Sequence, residues 1–153
     1  MGKILNNDFE EFLQALNLEN VEYILVGGYA VIFYGYNRTT GDLDVWVNPT
    51  LSNYEKLQAA FLRFGLPTMA ISPEDFLNSQ ETDVFTFGRP PVSIDILTQV
   101  KGLAFDQSFQ QSSFQQFDGV EVRIIDYRDL IIAKKSANRS KDKNDLEHLD
   151  KRD

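Results

Sequence analysis
A chain of 153 residues with 42% hydrophobic and 25% charged residues can bury one core, and no Pro/Gly/Ser-rich linker splits it, so a single domain over residues 1–153 is expected. The net charge of −8 argues against a surface that coats nucleic acid, because such binding needs many Lys and Arg to neutralise phosphates. The absence of cysteine excludes a disulfide scaffold and a thiolate metal site, and the longest uncharged run, residues 23–37, is too short and too Gly-broken to suggest a membrane span. With no targeting segment visible in the first residues, a cytoplasmic location away from membranes is expected.

Asp8 and Glu11 fit a capping pattern, and Phe9, Phe12, Leu13 and Leu16 recur at helical spacing, which predicts an amphipathic helix to about Leu18. Residues 22–26 are rich in β-formers and run directly into Gly27 and Gly28. The glycine pair lets the backbone turn tightly and approach a ligand, and it delivers an apolar helix over residues 29–34 whose first N–H groups favour an anion. A polar loop over residues 37–41 leads into a strand over residues 43–47, ended by Pro49. Successive strand side chains point to opposite faces, so Asp42 and Asp44 share one face while Leu43 and Val45 point into the core. Two carboxylates held together repel each other, and a divalent cation that prefers oxygen, Mg²⁺ above all, relieves that repulsion.

Ser52 is expected to cap a helix striped by Tyr54, Leu57, Phe61 and Phe64, stopped by Gly65 and Pro67, and Ser72 with Pro73 marks a short helix. Residues 84–87 and 92–97 read as strands joined through Gly88, Arg89, Pro90 and Pro91. In the second of them Ile94 and Ile96 take one face and Asp95 the other, where a core-lining strand has least need of a charge. Phe105 and Phe109 suggest a helical turn or more, and Asp118-Gly119 marks a tight hairpin between residues 114–117 and 120–125. Asp126 can cap a helix over residues 127–138, and Ser140 the last one, which carries Leu146 and Leu149. Lys134 falls on the stripe formed by Tyr127, Leu130, Ile131 and Ala137, where a Lys is costly unless it meets an anion or snorkels to solvent. Trp46 stands on the carboxylate face, with packing the preferred role over stacking on a base. Lys134, Lys135, Arg139, Lys141 and Lys143 form a basic strip in an acidic chain, and a solvated helical face is its ordinary meaning.

Gly27-Gly28, a helix and loop, then Asp42-Leu43-Asp44 followed by Val45-Trp46-Val47, with Ile94-Asp95-Ile96 later, resembles the nucleotidyltransferase superfamily typified by DNA polymerase β. The small minimal forms look closest, among them AbiEii-type toxins of abortive infection and related bacterial toxin nucleotidyltransferases. Arg38-Thr39-Thr40, Asp129-Leu130-Ile131 to Lys134, Arg139-Ser140-Lys141-Asp142 and Asp145-Leu146 are similar to the small family's pattern, so the likeness extends over residues 26–149. This resemblance implies an α/β (α+β) fold in which a mixed β-sheet is flanked by helices. It implies Mg²⁺ held by Asp42 and Asp44, with Asp95 as a metal ligand and general base. It also implies the phosphates of an NTP, ATP included, on Gly27 and Gly28, and transfer of an NMP to an acceptor hydroxyl.

Arg38 is then a phosphate or acceptor contact, Thr40 shapes the loop or offers a hydroxyl, and Lys134 is a candidate for the nucleotide. The acceptor stays open among a tRNA or other RNA end, a protein and a small molecule. No appended helical domain is expected to hold it, so a homo-oligomer or a partner protein is a further expectation. The alternative is a non-catalytic nucleotide- or partner-binding relative of the same fold. A glycosyltransferase using Asp42-Leu43-Asp44 on a nucleotide-sugar metal explains neither Asp95 nor the glycine pair.

Overall fold
The structure, a computed structural model, describes residues 4–67, 69–78, 83–89 and 92–150. In chain order the elements are α1 (Asn7–Leu18), β1 (Tyr23–Val26), α2 (Gly27–Phe33), β2 (Asp42–Val47), α3 (Leu51–Phe64) and α4 (Pro73–Leu77). Then follow β3 (Val84–Arg89), β4 (Val92–Leu97), α5 (Phe105–Gln111), β5 (Ser113–Phe117), β6 (Val120–Ile124), α6 (Tyr127–Ala137) and α7 (Ser140–Asp150). The strands form one mixed sheet in the order β3-β4-β2-β1-β6-β5, so the expected mixed sheet flanked by helices is what the chain builds.

Local chemistry explains the junctions. Asp118 and Gly119 both take left-handed backbone angles (φ 55° and 82°), the geometry a two-residue hairpin between β5 and β6 demands. The Asp118 carboxylate then accepts hydrogen bonds from the backbone N–H groups of Ile4 and Leu5, fastening the N-terminal segment to the hairpin. Ser72 and Asp126 cap α4 and α6 as expected. Two other caps differ. Asn6, not Asp8, caps α1 by accepting from the Phe9 N–H at 2.8 Å, and Thr50, not Ser52, caps α3 by accepting from the Asn53 N–H. Each helix starts earlier than its apolar stripe, which leaves Asp8 in the first turn, where its charge still suits the helix end. Ser140 is the first residue of α7, and the side chain that closes that end is Asp142, accepting from the Arg139 N–H at 3.1 Å.

The sheet separates two environments. Leu43, Val45, Val47, Ile94 and Ile96 point to one face and are buried. Beyond them α1 and α3 pack through Phe12 against Phe61 and Phe64, and Phe61 meets Phe87 of β3 at 5.5 Å. Each such fully buried side chain contributes about 1.5–3 kcal/mol. Trp46 lies on the opposite face with the aspartates, buried and edge-on to Phe105 of α5 at 5.2 Å, which is the packing role expected of it. No helix among the described residues is long and apolar enough to cross a membrane.

Candidate functional site
Strand pairing builds the acidic centre. β1 runs antiparallel to β2 with Val26 opposite Asp44, so the end of one strand and the start of the next lie side by side rather than at opposite ends of the sheet. β4 runs parallel to β2 with Asp44 opposite Asp95 and Asp42 opposite Ser93. Side chains directly across neighbouring strands share a face, so all three aspartates point the same way. Asp44 and Asp95 share a hydrogen bond. The Thr86 hydroxyl donates to Asp95 Oδ1 at 2.8 Å, and the Ser93 hydroxyl to Asp42 Oδ1 at 2.6 Å. Burial first, then the charge of Asp95 and its hydrogen bond, then the charge of Asp42, push the Asp44 carboxyl up to about 7, while Lys141 pulls it back.

Both glycines are explained by close approach. Gly27 has a left-handed φ of 72°, and a Cβ there would stand 2.0 Å from Asp44 Oδ2. A Cβ on Gly28 would stand 2.5 Å from Thr40 Oγ1. The backbone at the start of α2 is therefore pressed against the carboxylate, with Thr40 lying over the next residue. Among the described residues no group of three or more His, Cys, Asp and Glu side chains is already gathered as a metal cage. The donor set nevertheless fits Mg²⁺. Asp44 and Asp95 are hard oxygen donors in contact, their repulsion is the kind a divalent cation removes, and Asp42 adds oxygen on the same face.

A cleft of about 190 Å³ runs from Asp44 and Gly27 to α6 and the start of α7, lined also by Lys134, Arg139 and Asp142. Lys134 is buried and meets anions, as its position on the helix stripe requires, but those anions belong to the protein. Its Nζ lies 3.1 Å from Asp142 Oδ1 and 3.0 Å from Asp145 Oδ2. Arg38 grips Asp145 with both arms, Nε to Oδ1 at 2.8 Å and Nη2 to Oδ2 at 3.0 Å. Arg139 donates to Asp142 through Nε at 2.7 Å. Burial alone would raise the Asp142 carboxyl, yet the hydrogen bonds from Arg139 and Lys134 win and hold it below the usual carboxylate range. The result is one ion chain, Arg38, Asp145, Lys134, Asp142, Arg139, that ties the loop before β2 to α6 and α7.

The candidates thus divide. Asp42, Asp44, Asp95, Gly27, Gly28 and Thr40 come together at the junction of β1, α2, β2 and β4. Lys134 lines the cleft while committed to Asp142 and Asp145, and Arg38 is committed to Asp145. Arg139, which the sequence places both in the basic strip and in the Arg139-Ser140-Lys141-Asp142 segment without a role of its own, lines the cleft with 61% of its side chain exposed and one edge on Asp142. The signal available was the Arg139-Ser140-Lys141-Asp142 segment, in which Asp142 stands three residues after the residue whose N–H it caps. Lys101, from the loop after β4, lines the cleft as well.

Residues 4–150 match the model of a family described as nucleotidyltransferase of unknown function (DUF6036). The chain belongs to that family. Its fold is similar to that of the lincosamide antibiotic adenylyltransferase LnuA in a lincomycin-bound crystal structure, with a TM-score of 0.58 at 11% identity, covering 99% of this chain and 100% of that one. It is similar also to an antigenic nucleotidyltransferase-like protein from Paracoccidioides brasiliensis, with a TM-score of 0.53 at 14% identity, covering 97% of this chain and 77% of that one. At such identities the likeness is one of fold. No curated protein matches the chain in sequence. The family's description as a nucleotidyltransferase agrees with the resemblance carried by the glycine pair and the three aspartates.

Proposed function
We propose that this protein transfers an NMP from an NTP to an acceptor hydroxyl, with Mg²⁺ as its metal. One observation carries the proposal: Asp44 and Asp95 stand in contact on neighbouring strands, against a glycine backbone that leaves no room for a side chain. Asp44 and Asp95 would hold the ion with Asp42 beside them, and an ion held there would supply positive charge against the phosphates. Gly27 and Gly28 admit the triphosphate close to the carboxylates, and Arg139, exposed along one edge, offers a planar donor set for its oxygens. Lys134 and Arg38 act in this reading through the fold, holding α7 and with it Arg139 in place. The acceptor oxygen forms a bond to the α-phosphorus, and the bond from that phosphorus to the bridging oxygen of pyrophosphate breaks. Pyrophosphate leaves with the electron pair, and the acceptor proton passes to the Asp95 carboxylate.

The neighbour named as an antibiotic adenylyltransferase favours ATP and a small-molecule acceptor as the first pair to try. The part of a toxin in an abortive-infection pair enters the proposal on the resemblance of the motifs alone. A second reading, nucleotide or partner binding without transfer, is favoured by the engagement of Lys134 and Arg38 with internal carboxylates, which leaves fewer cations for a triphosphate. Incubation with each α-labelled NTP, Mg²⁺ and fractionated RNA, protein and metabolite pools separates the two. Label in one fraction, absent with Asp44→Ala, supports transfer; label in none together with no NTP binding supports the second reading.

A further inference from the structure
The sheet ends on one side at β5, and no other described strand pairs with its outer edge. β6 and β1 separate it from β2 and the aspartates there. An open edge offers a row of backbone N–H and C=O groups to any second strand, and chains ordinarily blunt it with charge, proline or a kink. The opposite edge, β3, is blunted in that way: Gly88 takes a left-handed φ of 92°, Arg89 follows, and Pro90 and Pro91 come next in sequence. β5 has none of these. Residues 107–117, QSFQQSSFQQF, hold no charged residue and no proline, in a chain of net charge −8.

The tight turn at Asp118 and Gly119 fixes which groups face outward. In a two-residue hairpin the closing pair, here Phe117 and Val120, is hydrogen-bonded, and the antiparallel ladder alternates from there. Ser113, Gln115 and Phe117 therefore bond to β6, while the N–H and C=O of Phe114 and Gln116 point away from the sheet. Phe114 is 46% exposed yet held in place. The Arg123 guanidinium lies 4.6 Å from its ring centre and 4.2 Å from that of Phe109, and its Nη1 donates to Ser112 Oγ at 3.0 Å. An aromatic ring already fixed loses little freedom on being covered.

We propose that this edge pairs with the same edge of a second copy of the chain, antiparallel about a twofold axis through Gln115. That centre matches Phe114 of each copy with Gln116 of the other, and each match exchanges both of its N–H···O bonds. Because Arg123 stands beside Phe114 and Glu121 beside Gln116, each row across the joined sheet runs Arg123, Phe114, Gln116, Glu121, with a base at one end and an acid at the other. Centring on Phe114 or on Gln116 would instead set Arg123 against Arg123, or Glu121 against Glu121, across the row. Two chains of net charge −8 repel each other, and along this edge they meet with no like charges opposed. A five-residue edge is short, so the dimer is weak, with a Kd of about 10–500 µM.

Sedimentation equilibrium on the full chain, from about 5 to 1,000 µM, tests this against that Kd. Gln115 is exposed, and Gln115→Lys or Gln115→Glu places like charges directly opposite only in the dimer. Each variant alone is expected to dimerise about fivefold more weakly than the wild type, and an equimolar mixture of the two to recover wild-type affinity. By NMR, the Phe114 and Gln116 amides of the wild type are expected to exchange with solvent more slowly as concentration rises. A dimer indifferent to both variants, a mixture that fails to recover, or a species that grows past the dimer overturns the proposal. So does a wild type that stays monomeric, even if a synthetic peptide of alternating Thr and Val slows those two amides, which gives the edge to a strand from another protein.

Discussion
Replacing Asp44 with Asn removes a charge that the metal-free fold holds against burial, Asp95 and Asp42. The carboxyl moves from an ordinary 3.8 to about 7, a difference of about three pH units, each worth about 1.4 kcal/mol. A raised carboxyl pKa means that the folded chain binds the proton more tightly than the unfolded one. The stability this contributes is fully present below about pH 4 and is lost as pH rises through about 7. At pH 8 the ionised group therefore costs the fold about 2–4 kcal/mol, and an amide of the same shape, still able to hydrogen-bond Asp95, avoids that cost. In urea unfolding with EDTA, Asp44→Asn is expected to exceed the wild type by about that amount at pH 8, with the difference shrinking toward zero near pH 4. Added Mg²⁺ should stabilise the wild type alone and narrow the gap. A variant less stable than the wild type at pH 8 in EDTA, or a difference that ignores pH, would refute the reasoning.

Gly27→Ala forces a left-handed angle on a side-chain residue and drives its Cβ into Asp44 Oδ2, so a loss of about 2–5 kcal/mol is expected in denaturant unfolding, with Mg²⁺ binding lost as well. Lys134→Met leaves Asp142 and Asp145 buried with less compensation, and a cost of about 3–5 kcal/mol is expected in the same assay. Arg139→Gln, at a side chain 61% exposed, should cost the fold no more than about 1 kcal/mol. The same variant should weaken NTP binding by calorimetry roughly tenfold to a hundredfold. An unchanged NTP affinity there would remove Arg139 from the site.

Where a local pattern decides the outcome, the residues announce it. Asp118-Gly119 needs two left-handed angles and marks its hairpin, and the alternation in Ile94-Asp95-Ile96 puts the carboxylate on the face away from the aliphatic core. The pairing of Asp44 with Asp95 depends on a register between strands far apart in the chain, which the alternation allows but does not specify. The ion chain was less legible. Position 134 asks for an anion, but its partners come from α7 folding back onto α6, and the same fold-back gives Arg38 to Asp145 across the molecule. Charge spacing along one helix carries no information about such non-local partners.

The central claim is that Asp44 and Asp95 jointly hold the metal on which nucleotide binding depends. Calorimetric titration of Mg²⁺ and a non-hydrolysable ATP analogue into the wild type, Asp44→Asn and Asp95→Asn tests it without any need to know the acceptor. The account predicts Mg²⁺-dependent binding of the analogue to the wild type and its loss in both folded variants. Equal affinity in all three proteins, or binding indifferent to Mg²⁺, would contradict it.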